Sequence, residues 1–230
     1  MLLSVIIPAY NEESSIRDLI ERVKASPVVK EIIVVDDHSS DHTLECLQAI
    51  SGIKLLVHSS NCGKGAAIRT ALSHARGDIV IVQDADLEYD PSEYPSLLVP
   101  FSDATVDAVY GSRFRRSTSF LRCAQPPRRN FLLASRLANV FLTFLTNVLF
   151  GSRVTDMETC YKAIRRAVLE RLNLSSSRFE IEPEITAKLS RLGCRIAEVP
   201  ISYNARRIGK KIGARDGFLA CCCLIKWYLA

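Results

Sequence analysis

Eight cysteines stand at 46, 62, 123, 160, 194 and 221–223, and no two of them are spaced C-x-x-C. A zinc cage therefore has little support, and a 230-residue chain that can bury its own core needs no disulfide framework. The cysteines are expected to be reduced, mostly buried thiols in an intracellular protein. The Cys221–Cys223 run reads first as small apolar filler on a helix, with lipidation as the alternative. Aromatics are scarce, at one Trp, seven Tyr and nine Phe, which argues against a base-stacking platform and against a nucleic-acid partner. No stretch is a clean membrane span. Residues 131–150 come nearest but are broken by Arg136, Asn139 and Asn147, and 218–230 fall short of the ~20 residues required. Met1–Ala9 has no basic start and runs at once into Asn11-Glu12-Glu13, as a first strand does and a signal peptide does not. Internal repeats and low-complexity tracts are also lacking. What remains is ordinary globular usage, 48% hydrophobic and 24% charged, with a net charge of +5. That mild excess suits a phosphate-bearing small molecule or an anionic membrane surface.

The first half alternates strand and helix patterns. Apolar runs at 2–7, 31–35, 54–58 and 79–82 read as buried strands. Between them, Ile16, Leu19, Ile20 and Val23 recur at helical spacing. Leu44, Leu47 and Ile50 mark a second helix with Asp41 as its N-cap, and 65–75 form a small-residue helix. This order predicts an α/β fold: a mostly parallel sheet with helices on both faces and ligands at the carboxyl ends of the strands. The second half is less regular. It offers a strand at 107–111, a basic connection through Arg113–Arg129, a long apolar helix, and a late strand over 195–203.

Polar residues gather at the strand ends: 8–13 after the first, Asp36-Asp37 after the second, Asp84-Ala85-Asp86 after the fourth. Asp84 and Asp86, at i and i+2 of extended chain, project to one side. Two hard oxygen ligands there suit Mg²⁺ or Mn²⁺, ions that also bind substrate phosphates. A dinucleotide site is disfavoured, because the first turn is Pro-Ala-Tyr-Asn-Glu rather than G-x-G-x-x-G. Residues 61–66 approach a phosphate loop but lack the Lys-[Ser/Thr] ending. Their small side chains are expected to allow close packing beneath a nucleotide, with Lys64 near phosphate; a plain Gly-rich turn before a helix is the competing reading.

The motifs V-I-I-P-A-Y-N-E-E (5–13), V-V-D-D-H-S-S-D (34–41), N-C-G-K-G-A-A (61–67), Q-D-A-D-L (83–87) and Y-G-S-R-F (110–114) resemble family 2 inverting glycosyltransferases of GT-A fold. T-D-M-E-T-C-Y-K (155–162), F-E-I-E-P-E-I (179–185) and G-K-K-I-x-x-x-D-G (209–217) are similar to that family's dolichyl- or polyprenyl-phosphate sugar transferase branch. The resemblance covers nearly the whole chain and keeps the family's order. It implies one domain, with 1–115 as a nucleotide-sugar half and 116–230 as an acceptor and membrane-interface half. Pro8, Tyr10 and Glu12 would line the nucleoside pocket. Val35 and Asp37 would hold the base. Asp84, Ala85 and Asp86 would hold diphosphate and metal, with Glu88 at a possible third ligand position. Arg113 would meet a phosphate, and Arg207 and Lys211 would close over the diphosphate.

The implied reaction moves a hexose from GDP-mannose or UDP-glucose to a dolichyl or polyprenyl phosphate with inversion. Such an acceptor is largely ionised at pH 7 and needs little help from a base. Two anions must still meet, which gives Arg113, Arg128 and Arg129 a purpose. A sugar-hydroxyl acceptor would instead need a base, Asp156 first and Glu158 second; the alternative for Asp156 is an N-cap on a helix over 157–162. Arg136, Asn139, Thr143 and Thr146 recur at three and four, a narrow polar stripe on a wide apolar helix. That pattern suits a membrane interface, or else a core helix whose stripe faces a site. Phe218–Leu229 is a second interfacial candidate. The expected place is the cytosol, peripheral to a membrane's cytosolic face. A nucleotidyltransferase and an inactive membrane-bound scaffold are the competing functions.

Overall fold

The computed structural model describes residues 1–115, 133–205 and 214–229. Seven strands form one sheet in the order β3-β2-β1-β4-β6-β5-β7. β1 (Leu3–Ala9), β2 (Val29–Asp36), β3 (Lys54–Val57) and β4 (Ile79–Val82) are mutually parallel. β1 and β4 are apolar almost throughout because the sheet is covered on both sides, so every residue of β4 is buried. α1 (Ile16–Ala25) turns Ile16, Leu19, Ile20 and Val23 inward, the stripe that its spacing predicts. The N-cap of α2 (Thr43–Gln48) is His42 and not the expected Asp41, which stands one residue earlier, where its Oδ1 accepts from the Thr43 backbone N–H at 3.0 Å. α3 spans Lys64–Leu72, and α4 (Tyr94–Leu98) lies between β4 and β5.

The other side of the sheet is where the sequence was hard to read. β5 (Ala108–Ser112) does not pair with β4; β6 (Lys162–Arg165) lies between them, antiparallel to both. The expected helix over 157–162 is absent, so Asp156 is not its N-cap. The segment is irregular up to β6, which at four residues is too short to show a period. β7 (Ile196–Pro200) closes the sheet parallel to β5. Because β6 reverses the direction twice, β5 runs the same way as β4, and its carboxyl end reaches the same edge. α6 (Arg166–Arg171) and α7 (Ile181–Arg191) follow β6. α5 (Leu133–Phe150) and α8 (Ala214–Leu229) pack on each other and on α7.

α5 is built inside out. Asn139, Thr143 and Thr146 are buried, while Leu137, Val140, Phe141, Phe144 and Val148 are each at least half exposed. The polar stripe faces the protein and the apolar surface faces outward. No described helix is long and apolar enough to cross a membrane. The described cysteines are unpaired, but the expectation that most are buried fails: Cys160 and Cys223 are buried, Cys62 and Cys222 exposed, the rest between. Three consecutive residues on α8 point about 100° apart, so one of the run faces in and another faces out.

Candidate active site at the carboxyl edge of the sheet

The register brings the polar strand ends together. Ala9 pairs with Asp36 and Asp36 with Val57, and Gln83 N–H donates to Ile6 O at 2.8 Å. The turns carrying Tyr10–Glu12, Asp37, His58, Asp84–Asp86 and Arg113 therefore leave the sheet on one edge. Asp84 and Asp86 are partly exposed and flank the buried Ala85 where the chain bends beyond β4. Ser15 Oγ, which donates to both Ala85 O (3.0 Å) and Glu12 Oε2 (2.9 Å), ties this loop to the first turn. Glu12 is itself buried, so it braces the loop from beneath. Asp86 Oδ1 accepts from Glu88 N–H at 3.1 Å. Glu88, implied as a third metal ligand, directs Oε2 to the Tyr203 hydroxyl at 2.5 Å.

Lys64, in the first turn of α3, lies between two carboxylates. Its ammonium is 2.7 Å from Asp84 Oδ1 and 3.0 Å from Glu182 Oε1, and Glu182 also pairs with the buried Lys162. Burial opposes the charge on Lys64, but Asp84 and Glu182 outweigh it and raise its pKa well above that of a free lysine. Burial likewise opposes the charge on Glu182, but Lys162 and Lys64 hold its carboxyl below the ordinary range. The chain Asp84–Lys64–Glu182–Lys162 thus alternates in sign and is largely screened from water. Lys162 and Glu182 had no role in the sequence reading. Both lie in motifs that carry the family resemblance, Glu182 in F-E-I-E-P-E-I and Lys162 at the end of T-D-M-E-T-C-Y-K.

Gly63 and Gly65 let α3 approach the 176–178 backbone closely. A Cβ on Gly63 would meet Ser177 O at 2.4 Å, and one on Gly65 would meet Ser176 O at 2.5 Å. Ala66 N–H donates to Ser177 O at 3.1 Å, so the 176–178 backbone already caps α3. Gly63 also has φ +93°, a conformation that favours glycine.

Asp37 organises the turn that leads there. Oδ1 accepts from Cys62 N–H at 2.8 Å and lies 2.7 Å from His58 Nδ1, and Oδ2 accepts from Gly63 N–H at 2.7 Å. Among the described residues, Asp37, His58 and Cys62 are the one trio of such side chains close enough to share an ion; Asp84, Asp86 and Glu88 are not gathered that tightly. Val35 is fully buried in the core, Pro8 beside it is half-buried and Tyr10 is exposed.

Arg113 and Asp156 meet face to face. The guanidinium donates through Nε and Nη2 to both Asp156 oxygens at 2.7 Å, and Arg113 N–H adds a bond of 3.0 Å. Asn139 Nδ2 of α5 donates to Asp156 Oδ1 at 3.2 Å. Burial would raise the Asp156 carboxyl, but Arg113 overrides it and keeps Asp156 ionised below the usual carboxylate range. The Arg113 guanidinium also stacks 5.0 Å over Tyr203. Asp156 is therefore the counter-ion of Arg113 and is poorly suited to take a proton. Glu158 is different. Burial pushes its carboxyl up to about 7, and its Oε1 is sealed from water with no hydrogen-bond partner. Arg128, Arg129, Arg207 and Lys211 lie outside the described residues.

A mostly parallel sheet with one reversed strand, and with carboxylates and cations at a shared edge, is the GT-A arrangement. A model of the family described as glycosyl transferase family 2 matches residues 4–172, and the chain belongs to that family. The low-salt glycan biosynthesis hexosyltransferase Agl6 of Haloferax volcanii is 32% identical over 207 residues, covering 89% of this chain and 48% of that protein. An undecaprenyl-phosphate 4-deoxy-4-formamido-L-arabinose transferase of Salmonella enteritidis is 30% identical over 216 residues, covering 90% of this chain and 61% of that protein. The chain thus spans about half to three-fifths of the length of these relatives. Among solved structures, glucosyl-3-phosphoglycerate synthase from Mycobacterium tuberculosis, in complex with Mn²⁺, UDP-glucose and phosphoglyceric acid, superposes with a TM-score of 0.75 at 24% identity. That match covers 99% of this chain and 79% of the synthase, and it establishes the shared fold.

Proposed function

We propose that this chain transfers a hexose from a nucleoside diphosphate sugar, GDP-mannose or UDP-glucose, to a dolichyl or polyprenyl phosphate with inversion at the anomeric carbon. The observation that carries the reading is the convergence of Asp84, Asp86, Lys64 and Arg113 on one sheet edge, where a diphosphate and a second phosphate find opposite charge. Its likeness to Agl6 and to an undecaprenyl-phosphate sugar transferase supports the lipid-phosphate acceptor. The paired, partly exposed carboxylates of Asp84 and Asp86 form a hard-oxygen set that fits Mg²⁺ or Mn²⁺; Glu88 joins only by releasing Tyr203. When bound, such an ion neutralises charge on the leaving diphosphate. Lys64 adds a fixed cation beside it, and Arg207 and Lys211 are proposed to close over the diphosphate.

The acceptor phosphate brings its own nucleophilic oxygen. Arg113, held rigid by Asp156, orients it for attack on the face opposite the nucleotide. With Asp156 engaged as a counter-ion, the hydroxyl-acceptor alternative loses its first candidate base. The nucleoside is proposed to rest against Pro8 and Tyr10, beside Asp37. The single domain divides its work, with donor binding in 1–115 and acceptor binding in 116–230.

The outward apolar face of α5 supports a membrane partner. It is joined by Phe218, Ile225 and Leu229 on the adjoining α8, all at least half exposed. Two packed helices presenting one apolar surface, on a chain of net charge +5, suit an anionic membrane's interface, at its cytosolic face.

Calorimetry with GDP-mannose and UDP-glucose, with and without Mn²⁺, tests donor binding. Asp86→Ala is expected to abolish transfer to a polyprenyl phosphate. Turnover retained in that variant with metal present would sink the metal assignment.

A further inference from the structure

We propose that α5 couples a lipid surface to the arginine of the site, with Asn139 as the positioning residue that carries the coupling through Asp156. The inference rests on the transferase reading above and adds a role for residues outside it. Two separate contacts join α5 to Arg113. Thr143 Oγ1 donates to Asn139 Oδ1 at 3.1 Å, and Asn139 Nδ2 donates to Asp156 Oδ1 at 3.2 Å. Asp156 in turn grips the guanidinium and backbone N–H of Arg113. Thr143 Oγ1 also accepts from Met157 N–H at 3.1 Å, which fixes the residue after Asp156. In the second contact, the Phe114 ring is shared by two cations, with the Arg136 guanidinium 5.9 Å and the Arg113 guanidinium 6.0 Å from its centre.

Both contacts exist only when α5 is rotated with its polar stripe inward. That rotation exposes Leu137, Val140, Phe141, Phe144 and Val148. In water the hydrophobic effect pulls against the arrangement, because any roll that hides those side chains turns Asn139 away from Asp156. At a lipid surface the same side chains are covered without a roll, and the inward stripe meets no competing force. A lipid surface therefore selects the state in which Arg113 is clamped.

The test uses the full chain, acceptor-free vesicles of phosphatidylcholine with phosphatidylglycerol, and a short-chain, water-soluble isoprenyl phosphate as acceptor. Vesicles are expected to raise the wild-type kcat at least fivefold with donor KM within twofold. Asn139→Leu should still float with the vesicles yet gain less than twofold, and Thr143→Val should fall between. Hydrogen exchange supplies a readout that needs no turnover. Vesicles should slow exchange at the amides of Arg113 and Met157 in the wild type, and not in Asn139→Leu. Wild-type exchange at those amides unchanged on vesicle binding, or full stimulation retained in Asn139→Leu, overturns the coupling. Absence of turnover with any donor overturns the transferase reading instead and leaves the exchange result to judge the coupling.

Discussion

Asp156→Asn changes one buried charge and almost no volume, so its consequences follow from the ion pair alone. The Arg113 side chain is 8% exposed and the Asp156 side chain 0%. The substitution leaves a buried guanidinium without its counter-ion and replaces one of two acceptor oxygens with an amide N–H. Removing one partner of a buried pair costs about 3–5 kcal/mol, and a surviving amide oxygen places this case near the lower end. At a urea m-value of about 3 kcal/mol/M, the unfolding midpoint falls by about 1 M. Arg113 also loses its fixed direction, and a shift of about 1 Å in a positioning group costs on the order of 10²-fold in kcat. The assay pairs urea unfolding followed by circular dichroism with transfer of radiolabelled sugar to a polyprenyl phosphate. A variant with wild-type stability and wild-type rate would refute the counter-ion role. A variant with wild-type stability but no activity would refute it in another way, by showing that the carboxylate takes part in the chemistry directly.

Gly65→Ala places a methyl 2.5 Å from Ser176 O. Since backbone must move, a loss of about 1–3 kcal/mol is expected by thermal unfolding, whereas Gly217→Ala, inside α8 with nothing within 4 Å of its Cβ, should gain about 0.5–1 kcal/mol. Glu158 carries a carboxyl raised by burial from 4.5 to about 7. Below pH 4.5 both folded and unfolded states are protonated and nothing is lost. As pH rises from there through 7, the unfolded state ionises first, so stability falls by on the order of 3 kcal/mol. Glu158→Gln should match wild type at pH 5 and exceed it at pH 8; equal stability at both values would show that Glu158 is not held protonated by burial. Lys64→Met leaves Asp84 and Glu182 facing each other without the cation between them, and a loss of about 3 kcal/mol is expected in the same unfolding assay.

Less of the second half than of the first was legible in the sequence, and chain geometry explains why. β1, β2 and β4 were legible because a doubly covered strand must be apolar over several residues, and α1 because its inward face repeats at 3.6. The polar stripe of α5 was legible too, from residues recurring at three and four. What the sequence left open was which face met water, because a stripe has a direction only once another element lies against it. β6 was beyond reach for the same reason. Four residues carry no period, and their place between β4 and β5 depends on pairing with strands some 50 and 80 residues away. The partners of buried charges were decided only by the tertiary structure. Lys64 between Asp84 and Glu182, and Arg113 clamped by Asp156, join residues 20 to 118 positions apart. Composition lists such charges, but only the folded chain determines which lie within 3 Å of each other, and so which carboxylate braces an arginine and which is left to hold a proton.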